Sequence, residues 1–187
     1  FLFSVFSSIH STASLFLLNI FLNPSILAIY VGAEKIQKFF MGIISPLERA
    51  LLPMAFKAKN NSNDIFFISL SILGGIGLFC GVFVFIFSEY LVTKVLGKEY
   101  LQSIDLLKIL SLQLPISAIN RVLGVQKFLS KNMDVLLVKI VITVGAIHLM
   151  TILLFVPKFG YISMAYTTII SESILLILFL LFFKKIN

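Results

Sequence analysis

Glu172 stands in the middle of the apolar run from Tyr161 to Phe183, where it is the one formal charge. An isolated carboxylate at the centre of a membrane helix costs about 2.5–3.5 kcal/mol on insertion scales, so a cavity or a cation is expected opposite it. Two roles fit. One is a proton- or cation-coupling site; the other is a structural hydrogen bond or ion pair with Lys139 or Arg121 on a neighbouring helix. His10 and His148 lie in two further apolar runs. Each could relay protons near neutral pH. A lone membrane histidine more often joins two helices through a hydrogen bond.

Lys38, Arg49, Arg121 and Lys139 lie within such runs or near their ends. They could line a cationic cavity that holds an anionic head group by charge-assisted hydrogen bonds. They could instead snorkel to the interface, or pair locally with residues such as Glu34 and Glu48. No His/Glu pair has metal-ligand spacing, and the chain has a single cysteine, Cys80, inside an apolar run. No metal, cofactor or disulfide framework is therefore expected. Gly74-Gly75-Ile76-Gly77 lacks the Lys-Ser/Thr ending of a phosphate-binding loop. Small residues in such a run mark close helix packing.

The elements that position these residues must be membrane helices. From Ile65 to Phe87 no residue is charged, and about 20 apolar residues rising 1.5 Å each cross the ~30 Å hydrocarbon core. Hydrophobic residues make up 59% of the 187 and charged residues 12%, against about 45–50% and about 25% in soluble domains. The runs are too long for barrel strands of about 10 alternating residues. The pattern predicts an all-α, polytopic bundle of about six spans in one transmembrane domain, 1–187. The spans are about 1–22, 33–56, 65–87, 104–125, 135–156 and 161–183. A turn at Tyr30-Val31-Gly32 precedes the second and Pro157 ends the fifth. The chain begins at Phe1 without a signal-peptide pattern, so a piece of a longer protein is expected.

The second span carries Glu34, Lys38, Ser45, Glu48 and Arg49 at helical steps; the fourth carries Asp105, Gln113, Ser117, Asn120 and Gly124. Such stripes turn toward a bundle interior or a water-filled cavity. Pro46, Pro53 and Pro115 fall inside spans and imply kinks, as hinges or as static bends. The formal net charge of +7 follows the connections. Lys57, Lys59, Lys127, Lys131, Lys184 and Lys185 fall on one side of a six-span arrangement; Lys94, Lys98 and Lys158 fall on the other, with Glu89 and Glu99. The positive-inside rule then places the C-terminus in the cytoplasm. No basic cluster with interleaved aromatics suggests nucleic acid.

Several motifs resemble those of bacterial polysaccharide and O-antigen repeat-unit flippases, within the multidrug/oligosaccharidyl-lipid/polysaccharide superfamily. Ile29-Tyr30-Val31-Gly32-Ala33-Glu34-Lys35-Ile36 is similar to the family's "G-x-Y-s-a-A-e-K", with the glycine moved behind the tyrosine. Ser45-Pro46-Leu47 and Leu52-Pro53-Met54-Ala55-Phe56 resemble the proline-marked end of the same helix. Leu96-Gly97-Lys98-Glu99-Tyr100 with Leu106-Leu107-Lys108-Ile109-Leu110 resembles "L-G-x-x-Y … L-L-r-I-L". Asn120-Arg121-Val122-Leu123-Gly124-Val125-Gln126 resembles "N-x-x-L-G-x-Q". Val156-Pro157-Lys158-Phe159-Gly160-Tyr161 resembles "i-P-x-y-G-x-x-G-a-A", with Ser163-Met164 in place of Gly-Ala.

The resemblance covers nearly the whole chain. It implies one lobe, the second, of a twelve-helix, two-lobe transporter of the bacterial inner membrane. The activity implied is the flipping of undecaprenyl-pyrophosphate-linked oligosaccharide, by rocking of two lobes around a basic cavity, with no enzymatic step. Implied partners are the bilayer, the lipid-linked oligosaccharide, the missing N-terminal six-helix lobe, and a polysaccharide polymerase with its chain-length regulator. The alternatives are a drug/cation antiporter or a peptidoglycan-precursor flippase of the same superfamily. A drug antiporter favours acidic cavity residues, and here bases outnumber acids. A membrane polysaccharide polymerase would need a large extracytoplasmic loop, and no connection exceeds about 16 residues between the expected spans.

Overall fold

The computed structural model describes residues 16–57, 62–128 and 133–186. The regular elements among them are all helical. Four stretches are long and apolar enough to cross a membrane: Asp64–Ile86, Ser103–Gly124, Asp134–Phe159 and Ile162–Phe182. They carry the third to sixth expected spans. The first span, 1–22, falls outside the described residues except for its end, of which 16–21 are helical.

Helix α1 (Pro24–Lys57) is longer than the expected second span, 33–56. Pro24 occupies the first helical position, where a missing N–H costs nothing, and Leu27 N–H opens the ladder by donating to Asn23 O. The expected turn at Tyr30-Val31-Gly32 does not form; the helix runs straight through it. Gly32 serves packing instead. A Cβ there would stand 2.9 Å from Leu96 Cδ1, so any larger residue would have to push that side chain aside. At 34 residues the helix is about 50 Å long, and, unlike the four stretches above, it is not apolar enough to count as a membrane-crossing helix.

Helix α2 (Ser62–Ile86) opens with Asp64 in its first turn, where a carboxylate complements the helix dipole. The connection that follows is helical rather than a loop. Phe87 makes a turn, α3 (Ser88–Leu91) continues, and Val92–Leu96 widens to i→i+5 bonds. Gly97 stops it with φ +101°, a conformation that favours glycine.

The expected continuous span 104–125 is broken into α4 (Ser103–Ser111) and α5 (Gln113–Arg121). The reason is Pro115, which has no N–H to give Ser111 O. Leu112 N–H turns back to Ile109 O at 3.1 Å, and Ser111 Oγ donates to Lys108 O at 2.6 Å. Wider turns follow from Val122 to Phe128. Helix α6 (Asp134–Phe159) does not end at Pro157; it passes through to Gly160, at φ +73°. A proline in the last turn forfeits one hydrogen bond, and the left-handed glycine beyond it does the stopping. Helix α7 (Ile162–Ile186) closes the chain.

The helices share two apolar clusters. Tyr30, Val84, Leu106, Val156 and Met164 belong to the first; Ile44, Phe66, Val122, Leu137 and Phe179 belong to the second. Helix α1 therefore runs from first to second, α2 from second to first, α4–α5 back again, then α6 and α7 in turn. This up-and-down order puts the Lys57, Phe128 and α7 ends on one side.

Helix α2 packs through its small residues. A Cβ on Gly77 would lie 2.7 Å from Ala118 Cβ, and one on Gly81 would lie 3.0 Å from Ser111 O. That carbonyl is the one Pro115 leaves without its helical donor. Phe67, Ile68, Phe79 and Phe85 of the same helix are exposed, as expected of a lipid-facing support.

Candidate functional site

Between the two apolar clusters lies a polar layer. On α5 and its junction with α4 stand Gln113, Ser117 and Asn120; on α6, His148; on α7, Thr167, Ser171 and Glu172; on α1, Gln37. Along each helix they fall between residues of the first cluster and residues of the second. Glu172 is the middle residue of Ile162–Phe182, a stretch long and apolar enough to cross a membrane, so the carboxylate stands at mid-span depth. Only hydrogen-bonded polar groups are tolerated at that depth.

Glu172 is held by amides, not by a cation. Asn120 Nδ2 donates to Glu172 Oε2 at 2.7 Å and to Glu172 O at 3.0 Å. Gln113 Nε2 donates to Oε1 at 3.3 Å, and Gln37 Nε2 donates to Gln113 Oε1 at 3.4 Å. Helices α1, α5 and α7 are joined through one carboxylate. The ion pairs anticipated for it, with Lys139 or Arg121, do not form. Arg121 Nη1 binds Glu48 Oε2 at 2.7 Å, and Lys139 faces outward on α6.

His148 is 3% exposed and lies against α7. Its Nδ1 is 2.8 Å from Ser171 Oγ and 3.4 Å from Thr167 O. Ser171 Oγ in turn donates to Thr167 O. These two contacts join α6 to α7. His10 lies outside the described residues. Ser103 Oγ donates to Ile29 O at 2.7 Å.

The four basic candidates do not converge. Lys38 is paired with Glu34 at 2.9 Å within α1 and is 53% exposed. Arg49 is exposed on the same helix. Arg121 bridges to α1 through Glu48, which is 7% exposed. What emerges is a stripe rather than a pocket. Lys35, Lys38, Gly42, Ser45 and Arg49 recur at steps of three and four along α1, all exposed apart from a half-buried Ser45. Pro46 and Pro53 lie in α1 as well, so Gly42 O and Arg49 O lack their i+4 donors. Lys35 and Gln37 were missed from the sequence, although the 35–38–42–45–49 spacing could have disclosed the stripe. Lys38 adjoins Gln37, which is bonded to Gln113, so the stripe passes the level of the Glu172 layer.

Among the described residues no group of three or more His, Cys, Asp and Glu could hold a metal ion. No family model, curated protein or solved structure matches this chain.

Proposed function

We propose that this chain is a membrane transport protein that flips undecaprenyl-pyrophosphate-linked oligosaccharide across the bacterial inner membrane. It would correspond to the C-terminal six-helix lobe of a twelve-helix transporter, with its C-terminus in the cytoplasm. The observation that carries the reading is the exposed basic stripe of α1, which runs alongside the Glu172 layer. A charged side chain facing lipid there costs about 2.5–3.5 kcal/mol on insertion scales. That face is stable only against water, protein or an anionic ligand. A basic face suits a pyrophosphate, whose oxygens accept charge-assisted hydrogen bonds. Its partner across the cleft would be the N-terminal lobe, and rocking of the lobes would alternate access.

The motif resemblance in α1, in the Leu96–Tyr100 connection and in α5 points the same way. The test is glycan export from a strain lacking its own flippase, complemented with the full gene. Lys35→Gln/Lys38→Gln/Arg49→Gln should expose far less glycan on the cell surface while accumulating in the membrane at normal levels. Unchanged export would overturn the reading.

Glu172 favours a second reading, a drug/cation antiporter of the same superfamily. Efflux of a cationic dye that is lost in Glu172→Gln and unaffected by neutralising the α1 lysines would select it.

A further inference from the structure

The outer face of α1 is divided along its length. Successive residues turn by about 100°, which sets Lys35, Lys38 and Arg49 along one edge of the exposed face and Phe39, Ile43 and Leu47 along the other. The apolar three stand at i+4 steps and are 69%, 45% and 37% exposed. Gly42 and Pro46 are exposed between the two edges, and a Cβ on Gly42 would meet nothing within 4 Å. The boundary is therefore an open trough with cations on one bank and hydrocarbon on the other. The apolar bank leads to α2. Ring centre to ring centre, Phe39 stands 5.5 Å from Phe40, Phe40 5.8 Å from Phe83, and Phe83 4.8 Å from Phe87 and 6.4 Å from Phe79.

A face with charge on one edge and hydrocarbon on the other suits a ligand in which the two are covalently joined. We infer that this face seats the isoprenoid chain of a polyprenyl pyrophosphate. The pyrophosphate lies against Lys35 and Lys38, and the chain runs along the Gly42 trough over Phe39 and Ile43. Lys38 pairs with Glu34 at 2.9 Å but is 53% exposed, and an ammonium with three donors keeps protons for a second anion. Hydrocarbon gains no hydrophobic energy by leaving lipid for protein, so the chain is held by close packing on the side chains of the bank. The bare floor at Gly42 permits that approach. The bank is one residue wide and takes one chain, which separates a prenyl lipid from a phospholipid with paired acyl chains. The seat rests on the transport reading and gives the substrate's tail a place on the protein beside its head group.

The test is photocrosslinking of the full-length protein in membranes. The probes are a polyprenyl pyrophosphate with a diazirine in the isoprene units next to the phosphate, and a diacyl phosphatidylglycerol with a diazirine in its chains. Prenyl adducts should concentrate on residues 39–47 and on Phe83, well above the phosphatidylglycerol adducts there, and unlabelled polyprenyl pyrophosphate should compete them away. Lys35→Gln/Lys38→Gln should lower them by about tenfold, the loss of one charge-assisted hydrogen bond. Gly42→Leu fills the trough; with open space around Gly42 the variant should accumulate normally and lose adducts and glycan export together. Gly75→Leu, the same change at an equally open glycine of α2, should alter neither. Equal labelling by the two lipids would make this face a general lipid surface and overturn the seat. A face that neither lipid labels would be covered by another part of the protein and would overturn it too. Glycan export with prenyl adducts only outside 39–47 removes the seat and leaves the transport reading standing; competed adducts at the seat in a protein that exports no glycan do the reverse.

Discussion

Arg121 Nη1 lies 2.7 Å from Glu48 Oε2, joining α5 to α1 beside the polar layer. The pair makes Arg121 a strut between two helices as well as a source of positive charge. Glu48 is buried, so removing its partner leaves a carboxylate with no counter-charge. Breaking a fully buried pair costs about 3–5 kcal/mol. Over a third of the Arg121 side chain is exposed, and screening lowers that figure. Arg121→Gln should destabilise by about 1–2 kcal/mol. The exchange Glu48→Arg/Arg121→Glu should recover more than half the loss of either single change. Thermal unfolding of the four proteins checks this.

Gly75 and Gly77 lie on opposite faces of α2. A Cβ on Gly77 would meet Ala118 Cβ at 2.7 Å and Leu114 O at 3.1 Å, whereas one on Gly75 meets nothing within 4 Å. Gly77→Ala should destabilise by about 1–3 kcal/mol, the range for overpacking. Gly75→Ala should be neutral or stabilising by up to about 1 kcal/mol, the helix-propensity gain. Equal effects of the two substitutions would contradict the packing of α2 on α5.

The stripe on α1 should be wet and the outer face of α2 dry. Cys80 is the only cysteine and is buried, so single cysteines can be read against a silent background. A membrane-impermeant maleimide should label Lys38→Cys and Ser45→Cys in the full-length protein in membranes at least tenfold faster than Phe79→Cys or Phe85→Cys. Labelling at equal rates would show that lipid covers both faces.

His148→Phe should weaken the joint between α6 and α7. It deletes the Ser171 contact but leaves the Ser171 hydroxyl its bond to Thr167 O, so the cost is that of one net hydrogen bond, about 0.5–1.5 kcal/mol. Ser171→Ala deletes the same contact from the other helix and should cost a similar amount. A larger loss for Ser171→Ala than for His148→Phe would show that the imidazole is not the joining group.

Much of the fold was legible because lipid makes hydrophobic length decisive. The stretches from Asp64, Ser103, Asp134 and Ile162 stand where apolar runs were found. The errors were at punctuation. Gly32 and Pro157 read as ends, yet both lie within helices, because one answers to a neighbouring side chain and the other sits in a final turn that tolerates it. Pro115 read as a kink, and the break is there, displaced to Leu112 by the carbonyl it orphans. Glu172 stood out by isolation. Its partners did not, because Gln113 and Asn120 carry no charge and meet it only when α5 and α7 pack. Lys38, Arg49, Arg121 and Lys139 were legible as charges but not as an arrangement, since each points where its own helix face points.

The polar layer between the two apolar clusters has a mechanical consequence. In lipid, no hydrophobic force resists a helix sliding along its neighbour, since leucine packs on leucine equally well one turn higher or lower. The amides of Gln37, Gln113 and Asn120 have no such freedom. Sliding α7 by one turn, about 5.4 Å, would take the carboxylate from its donors. The layer thus acts as a depth gauge, fixing the heights of α1, α5 and α7 relative to one another. The faces above and below it need only be greasy enough to stay in the membrane.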